Sequence, residues 1–223
     1  MNRRSLFLGL GVSAMALAIP QTRSSLAEIA QADLGAKKGP RADYFPNYTL
    51  TTHENKQVKF YDDLMAGQTV MVNFMYTNCE ATCPLSTMNL KKVYKALGEK
   101  VGGDVKMLSF SIKPEQDTPE KLAQYVADHK IGKGWTFLTG KPEEIEILRR
   151  KLGFFDPDPS QDVLKGTHIG ILRVGNERLD RWAACPILQS PESIVKTLDS
   201  VRPRGLPRSA GLLASLQANA RRA

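Results

Sequence analysis

The sequence contains few of the residues that most often build metal sites and covalent cross-links, with 3 cysteines and 3 histidines among 223 residues. Three cysteines are too few for a disulfide scaffold, and the odd number leaves one without a partner. No second pair of cysteines or histidines is present to complete a four-ligand structural zinc site. Any thiol chemistry must therefore come from Cys79, Cys83 or Cys185.

Acidic residues are scarce at both ends of the chain, and this scarcity explains the net charge of +8. Residues 1–30 hold three arginines and one glutamate, whereas residues 202–223 hold five arginines and no acid. The intervening residues 31–201 carry 23 basic and 22 acidic side chains, a net charge of +1. The folded part therefore lacks the basic surface typical of nucleic-acid binding, and we expect no nucleic-acid partner.

Long hydrophobic runs are also missing. Residues 6–19 are apolar, but this stretch is shorter than the roughly 20 residues that a membrane-spanning helix needs. It follows the adjacent Arg3 and Arg4, and this pattern indicates a twin-arginine export signal within residues 1–30. We expect a periplasmic protein; if the signal is not cleaved, it would attach the protein to the inner membrane, facing the periplasm.

The remaining chain divides into a linker at residues 31–46, one domain at residues 47–201 and a basic, disordered tail at residues 202–223. Within the domain, strand patterns alternate with helical ones, and this order predicts an α/β fold with a mixed sheet flanked by helices. An N-terminal β-hairpin is predicted at residues 50–60. A second hairpin is predicted at residues 168–182, with its turn at residues 175–177.

The most informative stretch is an apolar strand pattern at residues 69–76 that runs into Cys79-Glu-Ala-Thr-Cys83-Pro84. A helix is predicted next, with Pro84 in its first turn and Gly98 after its end. The apolar positions at helical spacing are Leu85, Met88, Val93 and Leu97. A helix N-terminus favours negative charge, and therefore a thiolate at Cys83 or just before it. Thiolates bind soft metals or exchange disulfides; the three residues between the cysteines suit two ligands of one metal ion.

Several other candidate ligands are interpreted as structural. We expect His53, near a hairpin turn, and His129, near a charged helix end, to be exposed to solvent. Met75 and Met88 fit the apolar faces of their elements, so we predict that both lie in the core. Cys185 has no partner at metal-ligand spacing and is expected to be a buried, unreactive thiol.

Asp117 and Glu120 have the spacing of a helix capping box, and Pro119 between them suits a first helical turn. We therefore expect Asp117 to cap a helix, and we interpret the two carboxylates as a cap rather than as an acid–base pair.

Four features together resemble the Sco/SenC family, copper-binding thioredoxin-like proteins that help to assemble the copper site of cytochrome c oxidase. They are the strand leading into C-E-A-T-C-P at residues 79–84, D-T-P-E at 117–120, W-T-F-L-T-G at 135–140, and His168 at the start of a hairpin strand. The likeness covers residues 47–201. The chain departs from it at Lys113 and Glu80, where many relatives have aspartate and proline.

The resemblance implies a thioredoxin-like fold that brings His168 beside Cys79 and Cys83 to form a copper site. Two thiolates and an imidazole suit Cu(I), and also Cu(II) in a tetragonal environment. The leading hypothesis is an exported copper metallochaperone, rather than an enzyme, that delivers copper to the copper-site subunit of a respiratory oxidase. A periplasmic thiol reductant and a copper donor are its other expected partners.

Two alternatives use the same residues. In a thiol–disulfide oxidoreductase that reduces the cysteines of the copper-site subunit, or in a related peroxide reductase, Cys79 would attack and Cys83 would resolve, leaving a Cys79–Cys83 disulfide. His168 would then be dispensable for the exchange. A copper-responsive redox sensor would differ from the chaperone only in its partner.

Overall fold

The computed structural model describes residues 39–78, 82–162 and 170–203, with the side chains of Thr82 and Cys83 excluded. The strands are β1 (Thr49–Thr52), β2 (Gln57–Lys59), β3 (Thr69–Met75), β4 (Lys106–Ser111), β5 (Trp135–Thr139), β6 (Ile171–Asn176) and β7 (Arg181–Pro186). The helices are α1 (Thr82–Leu97), α2 (Pro119–Asp128), α3 (Pro142–Lys151), α4 (Pro159–Asp162) and α5 (Pro191–Val201). None of these described helices is long and apolar enough to cross a bilayer.

The strands form one mixed sheet in the order β2-β1-β5-β4-β3-β6-β7. The three central strands β3, β4 and β5 are parallel, and each outer pair is an antiparallel hairpin added to one side. Parallel neighbours need crossover connections, and α1 and α2 supply them. The predicted mixed sheet, its flanking helices and both added hairpins are confirmed.

The centre of the sheet is covered on both faces. Every residue of β3 is buried, which explains its continuous apolar pattern. On one face the ring centroid of Phe74 lies 5.4 Å from that of Phe110 and 4.9 Å from that of Phe154. On the other face Ser109 Oγ accepts a hydrogen bond from Trp135 Nε1 at 2.8 Å and donates to Asn73 Oδ1 at 2.7 Å. These buried polar groups therefore satisfy one another.

The second hairpin turns later than predicted. Gly175 lies within β6, and the turn falls at Glu177–Leu179, followed by Asp180 with a φ of 48°. A Cβ atom at Gly175 would lie 2.2 Å from the ring of Trp182 on the neighbouring strand. The glycine therefore permits a close cross-strand approach rather than a turn.

The turn of this hairpin ties together three distant segments through the buried side chain of Glu177. Its carboxylate accepts hydrogen bonds from Arg41 N at 3.1 Å, Tyr61 Oη at 2.7 Å and Gly67 N at 2.8 Å. The proximity of this carboxylate, together with burial, raises the pKa of Tyr61. The segment that enters the domain at Gly39 is thereby fixed to the sheet.

Candidate functional site

Three elements approach the same end of the sheet: the last residues of β3, the first turn of α1 and the first residues of β6. β3 ends at Met75, and α1 begins at Thr82. β6 runs antiparallel to β3 with Arg173 opposite Val72, so Ile171 at its start lies toward the end of β3 marked by Met75. In the sequence, residues 79–81 fall between β3 and α1, and residues 163–169 come shortly before β6.

The predicted ligands themselves fall largely outside the described residues. Cys79 and His168 lie in the undescribed segments 79–81 and 163–169, and Cys83 is described only as backbone within the first turn of α1. The predicted position of Pro84 in that first turn is confirmed, as is the end of the helix before Gly98, whose φ is +56°. The site is therefore described through the residues that hold these segments.

A buried carboxylate fixes the chain just before Cys79. Asp117 is 1% exposed and accepts hydrogen bonds from Thr77 N at 3.2 Å, Thr77 Oγ1 at 2.6 Å and Ser111 Oγ at 2.5 Å. Ser111 Oγ also accepts from the backbone N of Lys113 at 3.0 Å. Because a buried carboxylate is stable only when several donors satisfy it, this network holds Thr77 against the end of β4.

The predicted capping role of Asp117 is wrong. The N-cap of α2 is Thr118, whose Oγ1 accepts from Lys121 N at 3.4 Å, although Pro119 does occupy the first helical position as predicted. Asp117 and Thr118 are both good capping residues, so the local pattern does not distinguish them. Asp117 is buried because its carboxylate accepts hydrogen bonds from Thr77 and Ser111. The contact with Thr77 joins segments that are far apart in the sequence, so the local pattern does not reveal it.

A positive charge lies beside the same segment. Lys113 Nζ sits 3.9 Å from the ring centroid of Tyr76, the first residue after β3, in a cation–π contact. The N-terminus of α1 adds its unpaired N–H groups at this end of the sheet. Both features favour an anionic group such as a thiolate here.

The outer surface of α1 differs from the predicted one. Leu85 and Met88 are 54% and 56% exposed, so their predicted places on the buried face are wrong. The buried stripe instead runs through Ser86, Leu90, Val93 and Leu97, which follow the helical period more closely. Two apolar side chains therefore face solvent within two turns of Cys83. Met75, by contrast, is 2% exposed and confirmed as a core residue.

The two remaining histidines are less exposed than expected. His129 is half-buried, with its ring centroid 3.9 Å from that of Tyr125 and Nδ1 2.9 Å from the Tyr125 carbonyl oxygen. His53 is half-buried, and its Nδ1 accepts from Phe137 N at 3.2 Å. The expectation that both are solvent-exposed is wrong, because each ring packs on an aromatic neighbour and uses one nitrogen locally.

Cys185 is free and buried, as predicted, and its burial raises the pKa of the thiol. In the part of the chain that the structure describes, no cluster of three or more His, Cys, Asp or Glu side chains could hold a metal ion.

A buried ion pair that the sequence analysis missed fixes the chain just before the segment with His168. Arg149 is 2% exposed and donates from Nη1 and Nη2 to the two carboxylate oxygens of Asp162, both at 2.8 Å, and also to the carbonyl oxygen of Phe154. These hydrogen bonds hold the pKa of Asp162 well below its ordinary value. In the sequence, Arg149 and Glu146 have the spacing of an ion pair on the surface of a helix. In the structure, α4 packs over Arg149 and buries it.

The mixed sheet, in which the central strand β3 is followed after six residues by a helix with a cysteine in its first turn, defines a thioredoxin-like fold. The family model described as SCO1/SenC matches residues 36–199, and the chain therefore belongs to the SCO1/SenC family.

Individual relatives agree with this assignment. The SCO1 protein homolog of Bacillus subtilis (strain 168) is 33% identical over 107 residues, which are 47% of this chain and 53% of the relative. This chain spans about half the length, or less, of the curated relatives it matches.

Two solved structures show the same fold. Bradyrhizobium japonicum ScoI with copper bound has a TM-score of 0.54 at 21% identity, over 71% of this chain and 99% of that chain. BsSco, described as a member of the Sco family of cytochrome c oxidase assembly proteins, has a TM-score of 0.53 at 24% identity, over 69% of this chain and 90% of that chain.

Proposed function

We propose that this protein is an exported copper metallochaperone that binds copper through Cys79, Cys83 and His168. It would deliver the metal to the copper site of a cytochrome c oxidase-type respiratory enzyme. Membership of the SCO1/SenC family supports the proposal, because a solved relative holds copper and another is described as an oxidase assembly protein.

The observation that carries the proposal is the convergence of β3, α1 and β6 at one end of the sheet. His168 is three residues before Ile171, and Cys79 is four residues after Met75. Since a chain extends at most about 3.6 Å per residue, their Cα atoms lie within about 11 Å and about 14 Å of these described anchors. Cys83 belongs to the first turn of α1 at the same end. These chain lengths allow the three donors to meet at one metal ion, as the proposal requires.

The donor chemistry fits copper. Two thiolates and one neutral imidazole form a soft-to-borderline set that suits Cu(I). The nearby carboxylate of Asp117 already accepts from Thr77 and Ser111, so it is not a free oxygen ligand. Binding requires the thiols to lose their protons, and the dithiol must be reduced first. Copper loading is thereby coupled to the redox state of the pair.

Delivery needs a surface that meets the recipient near the metal. Leu85 and Met88 on α1 are more than half exposed and lie within two turns of Cys83. Exposed apolar side chains beside a reactive group suit transient contact with a partner protein. Copper would pass by ligand exchange from these thiolates to cysteines of the copper-site subunit. Export of the domain to the periplasm is part of the proposal and rests on residues 1–30, outside the described chain.

The proposal is tested by anaerobic copper titration of the reduced full-length protein. Wild type, His168→Ala and Cys79→Ser are compared with His129→Gln, which changes a histidine whose ring packs on Tyr125. We expect one tightly bound copper per chain, with affinity lowered at least about tenfold in His168→Ala and Cys79→Ser, since even indirect support of a metal ligand is worth about 10–100-fold. His129→Gln should bind as wild type does.

A parallel assay of disulfide reduction separates this function from the oxidoreductase. If copper binds weakly, His168→Ala changes nothing, and the protein reduces disulfides with Cys79 and Cys83, the chaperone proposal fails.

A further inference from the structure

A small basic cavity of about 230 Å³ lies between the first described turn, the end of α3 and the β6–β7 hairpin. Its aromatic wall includes Tyr44 and Trp182, and its basic side chains are Arg41, Arg150, Lys151 and Arg173. Arg173 is opposite Val72, within β3 rather than at the end that leads to Cys79. The residues that form this cavity thus differ from the proposed copper ligands.

Two of the four cations already have acidic partners. Arg41 Nε lies 2.5 Å from Asp180 Oδ1, and Arg150 pairs with Glu146 and Asp162 at 2.8 Å and 2.5 Å. Lys151 and Arg173 differ from them.

Lys151 Nζ lies 4.4 Å over the ring of Tyr44, and no described carboxylate is within ion-pair distance of Lys151 or Arg173. Two positive charges at this cavity are thus uncompensated within the described chain.

Arg173 is also short of hydrogen bonds. Its Nη2 donates to the carbonyl oxygen of Gly153 at 3.2 Å, whereas its buried Nε has no partner. Burial lowers the pKa of this guanidinium, because removal from water disfavours the charged form. The close approach depends on Gly153, where a Cβ atom would lie 2.4 Å from Nη2. Because no described carboxylate pairs with this half-buried guanidinium, an anion bound in the cavity would stabilise its charge.

We propose that this cavity binds a dianionic phosphate group between Arg173 and Lys151. Phosphate monoesters carry about −1.5 to −2 charges near neutral pH, which matches the two uncompensated cations better than a single carboxylate does. The planar guanidinium of Arg173 suits two-point contact with phosphate oxygens. Pockets for whole small molecules usually exceed about 300 Å³, so this cavity has room for the phosphate group rather than for a nucleotide. The proposal does not depend on copper binding.

The same group is offered by inorganic phosphate and by the headgroup of phosphatidic acid. Arg41, Tyr44 and Phe45 line the cavity and come shortly after residues 1–38 in the sequence, so an N-terminal segment held at a membrane would offer a lipid source. The test therefore includes both sources.

Inorganic phosphate is titrated into the copper-free full-length protein at constant ionic strength, with thermal unfolding and calorimetry as readouts. We expect saturable binding and a raised unfolding temperature. Arg173→Gln and Lys151→Gln should each weaken binding at least tenfold, and Arg173→Lys should weaken it less than Arg173→Gln. Lys196→Gln, which removes an exposed charge on α5, is the matched control and should bind as wild type does.

Lys151 is exposed, so its variant tests the site even if Arg173→Gln does not fold. The absence of saturable binding, or an equal loss in Lys196→Gln, would overturn the proposal. Flotation with phosphatidylcholine vesicles, with and without phosphatidic acid, identifies the source. Binding that needs phosphatidic acid, Arg173 and Lys151 supports the headgroup, and saturable phosphate binding without vesicle preference supports the free ion.

Discussion

Asp117→Ala should weaken both the fold and the copper site, because the Asp117 carboxylate accepts hydrogen bonds from both Thr77 and Ser111. The substitution leaves the fixed Thr77 N–H without its acceptor, at a cost of about 2 kcal/mol, and removes two hydroxyl hydrogen bonds worth about 1 kcal/mol each after the hydroxyls reorient. We therefore expect a loss of about 4 kcal/mol in the free energy of unfolding. Urea denaturation of the copper-free protein measures it.

Asp128→Asn is the matched control, since that exposed carboxylate accepts one bond from Gln124 Nε2 and its loss should cost about 0.5 kcal/mol or less. Thr77→Val keeps the N–H bond and removes one hydroxyl, so it should cost about 1 kcal/mol. Copper affinity should fall at least about tenfold in Asp117→Ala, as expected when support of a metal ligand is lost. A stability within about 1 kcal/mol of wild type, or unchanged copper affinity, would refute this role.

Four further predictions concern buried groups. Arg149→Leu removes the two-point partner of the buried Asp162 carboxylate, which keeps Arg150 and the backbone N of Asp156, so it should cost about 1.5–3 kcal/mol in denaturant unfolding; replacing Asp162 by Asn as well should recover part of the loss. Because the folded state lowers the pKa of Asp162, the ion pair stabilises the folded protein above about pH 4, and this contribution is lost as the pH falls further. The difference in the free energy of unfolding between wild type and Asp162→Asn should therefore shrink in acid. A difference that stays constant would contradict the pairing. Glu177→Gln should cost about 2–3 kcal/mol, since an amide presents donors to groups that already donate, and an unchanged urea midpoint would argue against the network. Cys185 should react with a thiol reagent only after unfolding, since it is buried with a raised pKa; fast labelling of the native Cys79→Ser/Cys83→Ser protein would show otherwise.

The periodic parts of the fold could be predicted from the sequence. Local rules of period and backbone conformation predict three features. They are the buried strand β3, the limits of α1 near Pro84 and Gly98, and the first hairpin. Gly175 was assigned to a turn because a glycine beside Asn is a strong local turn signal. Its actual role depends on the indole of Trp182 across the hairpin.

The supporting residues of the site depend on contacts between distant segments, so the sequence pattern does not reveal them. In the sequence, Asp117 has the spacing of a helix cap and Arg149 has the spacing of a helix ion pair, and both motifs are typical of the surface. In the structure, each side chain is buried and bonded to another segment of the chain. On α1, the spacing of the apolar residues Leu85, Met88, Val93 and Leu97 predicts a core position for Leu85. The inner position goes instead to Ser86, because the position on the helix, and not hydrophobicity alone, determines burial. The roles of Cys79, Cys83 and His168 stay predictions.

Copper K-edge X-ray absorption of the reduced, copper-loaded protein tests the central claim most directly. The account predicts scattering from two sulfur ligands and one imidazole nitrogen, with the imidazole contribution absent in His168→Ala and one sulfur absent in Cys79→Ser. A copper environment without sulfur, or one that is the same in wild type and His168→Ala, would contradict the three-ligand site.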